Sequence, residues 1–383
     1  MRLLFKNILT IALFATLFEG CIEPYEPKNI EPTSGILVVE GMLLENAPTV
    51  IKLSRTIALD QNLYQPVVAD VAILNTKGES ISVAPSDDLG TYTLDEDYTF
   101  EEGVQYALDI RIGSERYQSE FITPVYTPDI DSLSYVFSEE DSEVKINVTT
   151  HDPANKQHYY RWAFEEDWEL KVEYFADTRW DPQLRALVEG MNLQTSNNRY
   201  YCWQKNRSRS FILGNSERLS DAVIKNKTLH TIKGRGYRFS SLYSILVKQY
   251  GLPLDAYNYF RNLQKNIDET GSIFAPQPTE MPGNISCLTN PDVRVIGFFA
   301  ASVEKKRRLY ISAREVHGMT LRQDCDVPEE ETFTSYADAY NKGYGLEAYM
   351  PPIEITYAKL RCVDCIYAGG TKERPDFWPN NHY

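Results

Sequence analysis

Residues 67–94 read VVADVAILNTKGESISVAPSDDLGTYTL, three short runs rich in β-branched and aromatic residues divided by turn signals. The runs at 67–74, 80–83 and 91–94 are too short for stable helices. Lys77-Gly78 and Asp88-Leu89-Gly90 between them supply residues that accept a reversing backbone. The same texture continues in both directions, with strands predicted at 36–43, 50–55, 106–112 and 117–122. Seven short strands within about ninety residues, separated by turn signals such as Gly113-Ser114, form the pattern of a β-sandwich.

Beyond this block, Thr123-Pro124-Val125-Tyr126-Thr127-Pro128 reads as a domain boundary. A second set of strands is expected at 132–137, 143–149, 159–164 and 169–174. The stretch EVKINV at 143–148 alternates polar and apolar residues as a half-buried strand does. One helix stands out, with Asp255 as its cap, Ala256, Phe260, Leu263 and Ile267 along one face, and Gly271 at its end. Its apolar stripe is expected to pack on a sheet. The fold class is therefore mainly β: an N-terminal sandwich over 35–125, then a larger β-rich domain over 126–383 with a long insertion around 175–290 and a short helix. Ala69 to Leu74, followed by Gly78, Tyr92, Gly103 and Tyr106, resembles the immunoglobulin-like and carboxypeptidase-regulatory-like sandwiches of cell-surface proteins. Such modules serve as scaffolds and spacers more often than as catalysts.

The first residues carry a different signal. Arg2 and Lys6 precede an eleven-residue run, 8–18, that is apolar except for Thr10 and Thr16. That run is long enough for a signal-peptide core and too short to span a bilayer. It ends at Gly20-Cys21, which resembles a bacterial lipobox, so residues 1–20 are expected to be cleaved and Cys21 to carry lipid. Residues 21–34, with their prolines and charges, read as a tether. Two or more acyl chains hold a protein stably at about 0.8 kcal/mol per buried methylene.

Composition limits the chemistry. Hydrophobic residues make up 43% and tyrosine alone accounts for 26 positions, which excludes general disorder. From 39 basic and 54 acidic residues, loss of Arg2, Lys6 and Glu19 leaves 37 and 53, a net charge near −16. Such a surface repels phosphate backbones, and no nucleic-acid partner is expected. His151, His158, His230, His317 and His382 are scattered without metal-ligand spacing, so neither a metal nor a cofactor is expected. No nucleophile elbow or phosphate loop appears. Glu165-Glu166-Asp167 beside Trp168 has the residue types of a glycosidase pair, but it reads better as an exposed strand end with a packing tryptophan.

Tyrosines and tryptophans crowd the middle section. Tyr200, Tyr201, Trp203 and Tyr237 are taken as candidates for partner contact, because large rings with a polar tip suit interfaces. With Cys21 committed to lipid, Cys202, Cys287, Cys325, Cys362 and Cys365 remain as disulfide candidates in an oxidising compartment. Cys325 is expected to join Cys362 or Cys365, and Cys202 to join Cys287, with a local Cys362–Cys365 bridge as the main rival. The closing stretch RCVDCIYAGGTKERPDFWP, 361–379, is then a clasp anchored by Trp378.

An ordered series of blocks supports a wider resemblance. It comprises Cys202-Trp203, Ser241 to Ile245 with Gln249-Tyr250, Gly271 to Pro278, Gly283 to Ile285, Val295 to Phe299, Gln323 to Cys325, and Cys362 to Cys365 with Pro375 to Trp378. Together they resemble an uncharacterised family of Bacteroidota lipoproteins, a domain of unknown function commonly encoded beside TonB-dependent receptors. The resemblance implies a non-enzymatic outer-membrane lipoprotein, lipid-anchored and either surface-exposed or periplasmic; Glu23 and Glu26 just after Cys21 favour the surface. It would act as an accessory or nutrient-capture partner of such a receptor. The alternatives are an adhesin or structural envelope protein and, further off, a lipid-anchored glycan or peptide hydrolase.

Overall fold

Strand pairing in the first sandwich follows the alternation of apolar residues. The computed structural model describes residues 35–57, 65–86, 88–95, 98–189, 199–208, 212–269, 283–320, 324–328, 330–350 and 354–379. The expected signal peptide, the tether and Cys21 lie outside the described residues. One sheet runs in the order Val295–Gly297, Leu37–Glu40, Thr49–Arg55, Thr91–Leu94, Ala84–Pro85, with Gln65–Pro66 also on Thr49–Arg55. The facing sheet runs Ile285–Cys287, Glu115–Ser119, Tyr106–Ile112, Asp70–Asn75, Ser80–Ser82. Leu37, Val39, Ile51, Leu53 and Tyr92 from the first meet Ile73, Tyr106, Leu108, Ile110 and Tyr117 from the second in one core. The strand expected over 36–43 is interrupted by Gly41, where a Cβ would lie 2.7 Å from the Val50 carbonyl oxygen.

The chain leaves this sandwich and later returns to it. Ile285–Cys287 adds to Glu115–Ser119, and Val295–Gly297 pairs in parallel with Leu37–Glu40. Two outer strands of the N-terminal module therefore come from residues beyond 125, inside the region read as an insertion around 175–290 and just past it. The Asn284 side chain fixes this return by donating to the Phe299 carbonyl and accepting from the Phe299 N–H, each at 2.8 Å.

The second unit is another two-sheet arrangement. Ile130–Ser138, Glu143–His151 and Val223–Lys233 form a three-stranded sheet. The facing sheet orders Tyr201–Arg207, Tyr159–Lys171, Leu242–Gly251 and Lys305–Ser312, with Ile212–Asn215 also on Tyr159–Lys171. Val144, Ile146 and Val148 pack against Tyr160, Trp162, Phe164, Tyr243, Ile245 and Val247. Trp162 donates its indole N–H to Gln249 at 2.8 Å, and Gln249 passes its own amide hydrogens to the Pro128 carbonyl and the Thr150 hydroxyl. A polar pair thus sits inside the core with its hydrogen bonds made. The chain is mainly β throughout, with one long helix, Leu254–Glu269. That helix starts one residue before Asp255, and Ala256 and Phe260 pack with Met42, Tyr250, Leu252 and Ala300 at the junction of the two sandwiches.

The junction is sealed by a ring of buried hydroxyls. Thr127 and Ser302, both fully buried, bond through their oxygens at 3.0 Å. The Gly251 N–H donates to Thr127 at 2.9 Å, and Ser302 donates to the Gly251 carbonyl at 2.9 Å. Thr127→Val preserves shape and removes the acceptor for the Gly251 N–H, so unfolding free energy should fall by about 1–3 kcal/mol. Urea titration checks this as a lower midpoint at unchanged slope.

Candidate functional site

The strand Tyr159–Lys171 organises everything with chemical potential. Its side chains alternate between the core and the outer face, with Tyr160, Trp162, Phe164, Glu166 and Trp168 inward and Glu165 and Asp167 outward. Glu166 and its two acidic neighbours therefore project to opposite faces and cannot act on one bond as a carboxylate pair. The expected exposed strand end is corrected as well, since Glu166 is fully buried.

A carboxylate in a core position needs partners, and Glu166 has four. Tyr243 donates to it at 2.9 Å and Asn206 at 2.7 Å; His230 lies at 3.2 Å and the Arg238 guanidinium at 3.5 Å. Burial alone would raise the Glu166 carboxyl, but the His230 and Asn206 hydrogen bonds and the Arg238 charge outweigh it and hold it below its ordinary range. Arg238 also stacks over Trp168, 5.1 Å from the ring centroid. His230 projects from the opposite sheet, so this cluster ties the two layers of the second sandwich together. On the outer face, Lys248 holds Glu165 at 2.9 Å and Arg308 lies 3.7 Å from Asp167. Burial and the Glu165 charge still push the Asp167 carboxyl upward against the pull of Arg308.

Two disulfides fix the C-terminal segment over this sheet. Cys325 joins Cys362, one of the two expected pairings, and Cys202 joins Cys365. The expected Cys202–Cys287 bridge and the rival Cys362–Cys365 bridge are both corrected. Cys287 is a buried free thiol, because its strand belongs to the first sandwich while Cys202 lies in the second. In the chain-entropy account, loops of 37 and 163 residues stabilise by roughly 4 and 5 kcal/mol. After Cys365 the chain runs as a strap. Gly370 passes so close to Cys202 that no side chain fits there, and Thr371 exchanges two 2.8 Å main-chain bonds with Trp203. Phe377 then accepts from the Tyr310 hydroxyl and lies under the Arg308 guanidinium, while Trp378 packs on Trp203 and Leu242.

A groove of about 500 Å³ opens where the strap leaves the edge strand Tyr201–Arg207. It is lined by Trp168, Trp203, Lys205, Glu373, Arg374 and Asp376, among others. Trp203 is 8% exposed, and among the described residues its indole N–H has no hydrogen-bond acceptor. A second hollow of about 640 Å³ is bounded by Tyr174, Asp326, Glu331, Phe333, Glu347 and Tyr357. Among the described residues no group of three or more His, Cys, Asp or Glu is placed to hold a metal ion, and no helix is long and apolar enough to cross a membrane.

The residues singled out for partner contact fall in different settings. Tyr200 and Tyr201 meet edge to face at 4.8 Å beside Phe175, half-buried at the start of the edge strand. Trp203 is turned under the strap. Tyr237 is half-buried in the short helix Tyr237–Phe239, with its hydroxyl donating to the Arg361 carbonyl at 3.4 Å. Lys205, Gln204 and Arg374 also line the groove but carry no motif of their own; their one signal is adjacency to Trp203 in the strand and to the clasp in the strap. Lys372, donating to the Tyr201 carbonyl at 2.7 Å, has its pKa lowered to about 8 by burial and by Arg199.

Glu166→Leu should cost about 3–5 kcal/mol, since it strands the buried partners of the carboxylate. Glu166→Gln should cost less. Because the folded-state pKa of Glu166 is depressed, its contribution is complete above the ordinary carboxylate pKa and is lost as pH falls through the lowered folded value. Urea unfolding across the acid range should show a steeper stability loss for the native chain than for Glu166→Gln.

Comparison with known proteins adds a family and little else. A family model described as a domain of unknown function, DUF4249, matches residues 22–308. No curated protein matches. Among solved structures, a crystal structure of the chicken CNTN1 FN1–FN3 domains aligns at 13% identity over 59% of this chain and 64% of that one, with a TM-score of 0.14. At that score the likeness carries no structural argument. The matched residues stop at 308, ahead of Cys325, Cys362, Cys365 and the strap, so the C-terminal blocks of the expected family signature fall outside them. From residue 22 to residue 308, through both sandwiches, the chain belongs to the DUF4249 family of domains of unknown function.

Proposed function

We propose that the protein is a non-catalytic cell-envelope lipoprotein of the Bacteroidota type, anchored in the outer membrane through Cys21 and facing outward. It serves as an accessory or nutrient-capture partner of a TonB-dependent receptor. The observation that carries this reading is the groove beside Trp203, a recess held open by a disulfide-clasped strap on a rigid sheet. Sites built on strands keep their geometry better than sites on free loops. The acidic run beside the groove supports binding over turnover: Glu165, Glu166 and Asp167 are engaged with Lys248, His230, Arg238 and Arg308. The acidic net charge of −15 suits an exported surface protein and disfavours nucleic acid or anionic lipid as a partner.

Affinity purification from detergent-solubilised outer membrane, read by mass spectrometry, should recover a TonB-dependent barrel; its absence sinks the receptor assignment. Metabolic labelling with a palmitate analogue should mark the protein, and Cys21→Ser should abolish the label. Protease treatment of intact cells should degrade it, and protection would contradict the outward-facing assignment.

A further inference from the structure

We infer that the open edge of the strand Tyr201–Arg207 is a docking site for an extended peptide strand bearing carboxylates on alternate residues. This inference rests on the partner-binding reading above and gives it an address.

Tyr201–Arg207 is the outermost strand of its sheet. Trp203 turns its N–H and C=O outward and spends both on Thr371. Direction alternates along an antiparallel strand, so Lys205 and Arg207, opposite Asp167 and Glu165, also turn theirs outward. The strap reaches Thr371 from the Lys205 side, where the Gly369 carbonyl accepts from the Gln204 side chain and not from the edge main chain, and among the described residues the outward groups of Lys205 and Arg207 have no main-chain partner. The groove reaches both sides of the edge at this point: Trp168, Gln204 and Gly369 line one side, and Trp203, Lys205 and Asp167 the other. The indole N–H of Trp203, in a side chain more than nine-tenths buried beside the groove, has no acceptor among the described residues. Unpaired edges of this kind accept an added strand, with main-chain bonds giving affinity and alternate side chains giving selectivity.

Charge selects the occupant. Lys205 and Arg207 are exposed, with the Arg207 side chain 76% open, and both project to the outer face. The carboxylates behind them are held more closely by other cations, Glu165 by Lys248 at 2.9 Å against 3.9 Å to Arg207, and Asp167 by Arg308 at 3.7 Å. A second copy of this chain would set like charges against each other across the new ladder, whereas glutamates or aspartates opposite Lys205 and Arg207 would be paired. Glu373 and Asp376 on the strap wall repel carboxylates placed beyond Lys205, which fixes the register. The residue between the two carboxylates faces the Trp168 side and is best apolar.

The test uses the full chain in detergent micelles and the acetylated, amidated peptide Thr-Glu-Val-Glu-Thr, followed by fluorescence anisotropy. The glutamate peptide should bind about tenfold or more tightly than its lysine counterpart. Methylating the two amide nitrogens on its docking edge should abolish binding with no change to the protein. Lys205→Pro should also abolish it at an unchanged melting temperature, since that N–H serves no bond within the sheet and proline is tolerated on an edge. Lys205→Glu should reverse the preference toward the lysine peptide. Equal binding by the methylated peptide, indifference to Lys205→Pro, or no binding of the glutamate peptide at about 1 mM would overturn the inference, as would occupation of the groove by a glycan alone. Receptor co-purification is scored separately: recovery of a barrel by a chain that ignores the peptide sinks the edge site alone, and peptide binding without a barrel sinks the receptor assignment alone.

Discussion

Everything in this molecule hangs on a chain that leaves the first sandwich at Ile122, builds most of the second, and comes back. The return is held by groups that cannot be left unpaired: the Thr127 and Ser302 hydroxyls and the Gly251 main chain satisfy one another in a site with no water access. Three segments distant in sequence are thereby fixed at one point. Because each group's desolvation is offset only when the other two are present, the junction behaves as one cooperative element. It also sets the direction of Leu242–Gly251, which ends at Gly251, and through that strand the position of its neighbour Tyr159–Lys171.

A buried carboxylate is an expensive way to fill a core position, and Glu166 occupies one between Phe164 and Trp168. An apolar residue there would leave the polar ends of Tyr243, His230, Asn206 and Arg238 without an acceptor, so the set is retained or replaced together. Its effect is directional. Apolar packing alone allows the two sheets to slide, whereas a carboxylate reached from both layers admits one relative position. Trp168 and Gln204 sit beside it, joined at 2.8 Å, so the groove wall inherits that rigidity.

Legibility in the sequence tracked the distance over which pairing acts. Thr91–Leu94 and Tyr106–Ile112 were read to the residue because local alternation and a flanking turn define them. Ile285–Cys287 and Val295–Gly297 were not, since three residues carry no period and their partners lie far back in the chain. The free Cys287 follows from the same cause: a bridge to Cys202 needs both in one sandwich, and the fold places Cys287 in the first and Cys202 in the second. Glu166 was misread although its signal was present, because Tyr160, Trp162, Phe164 and Trp168 form a period-two row that points the glutamate inward. At the groove, Trp203 was legible as an aromatic worth naming. Lys205 and Arg374 were not, because their meaning comes from a strap crossing at Thr371 that joins positions 168 residues apart.

The strap also raises the question of why a sheet edge should be covered at one residue and left open at the next two. In the antiparallel register set by Thr371 and Trp203, Gly369 falls opposite Lys205, so a fully paired edge would have followed had Gly369 and the residues before it stayed in the ladder. Instead Gly369, with its left-handed backbone, and Gly370, pressed against Cys202, carry the chain to a single pair of bonds at Trp203. Arg308 and Trp378 then hold it across the outer face. The disulfide to Cys365 makes this crossing independent of the weak single bridge, because the covalent tie lies one residue from Trp203 on the same strand. An exposed edge is a liability that charged side chains restrain. Lys205 and Arg207 supply that restraint against copies of the same chain, and the same charges leave the edge selective for strands of opposite sign.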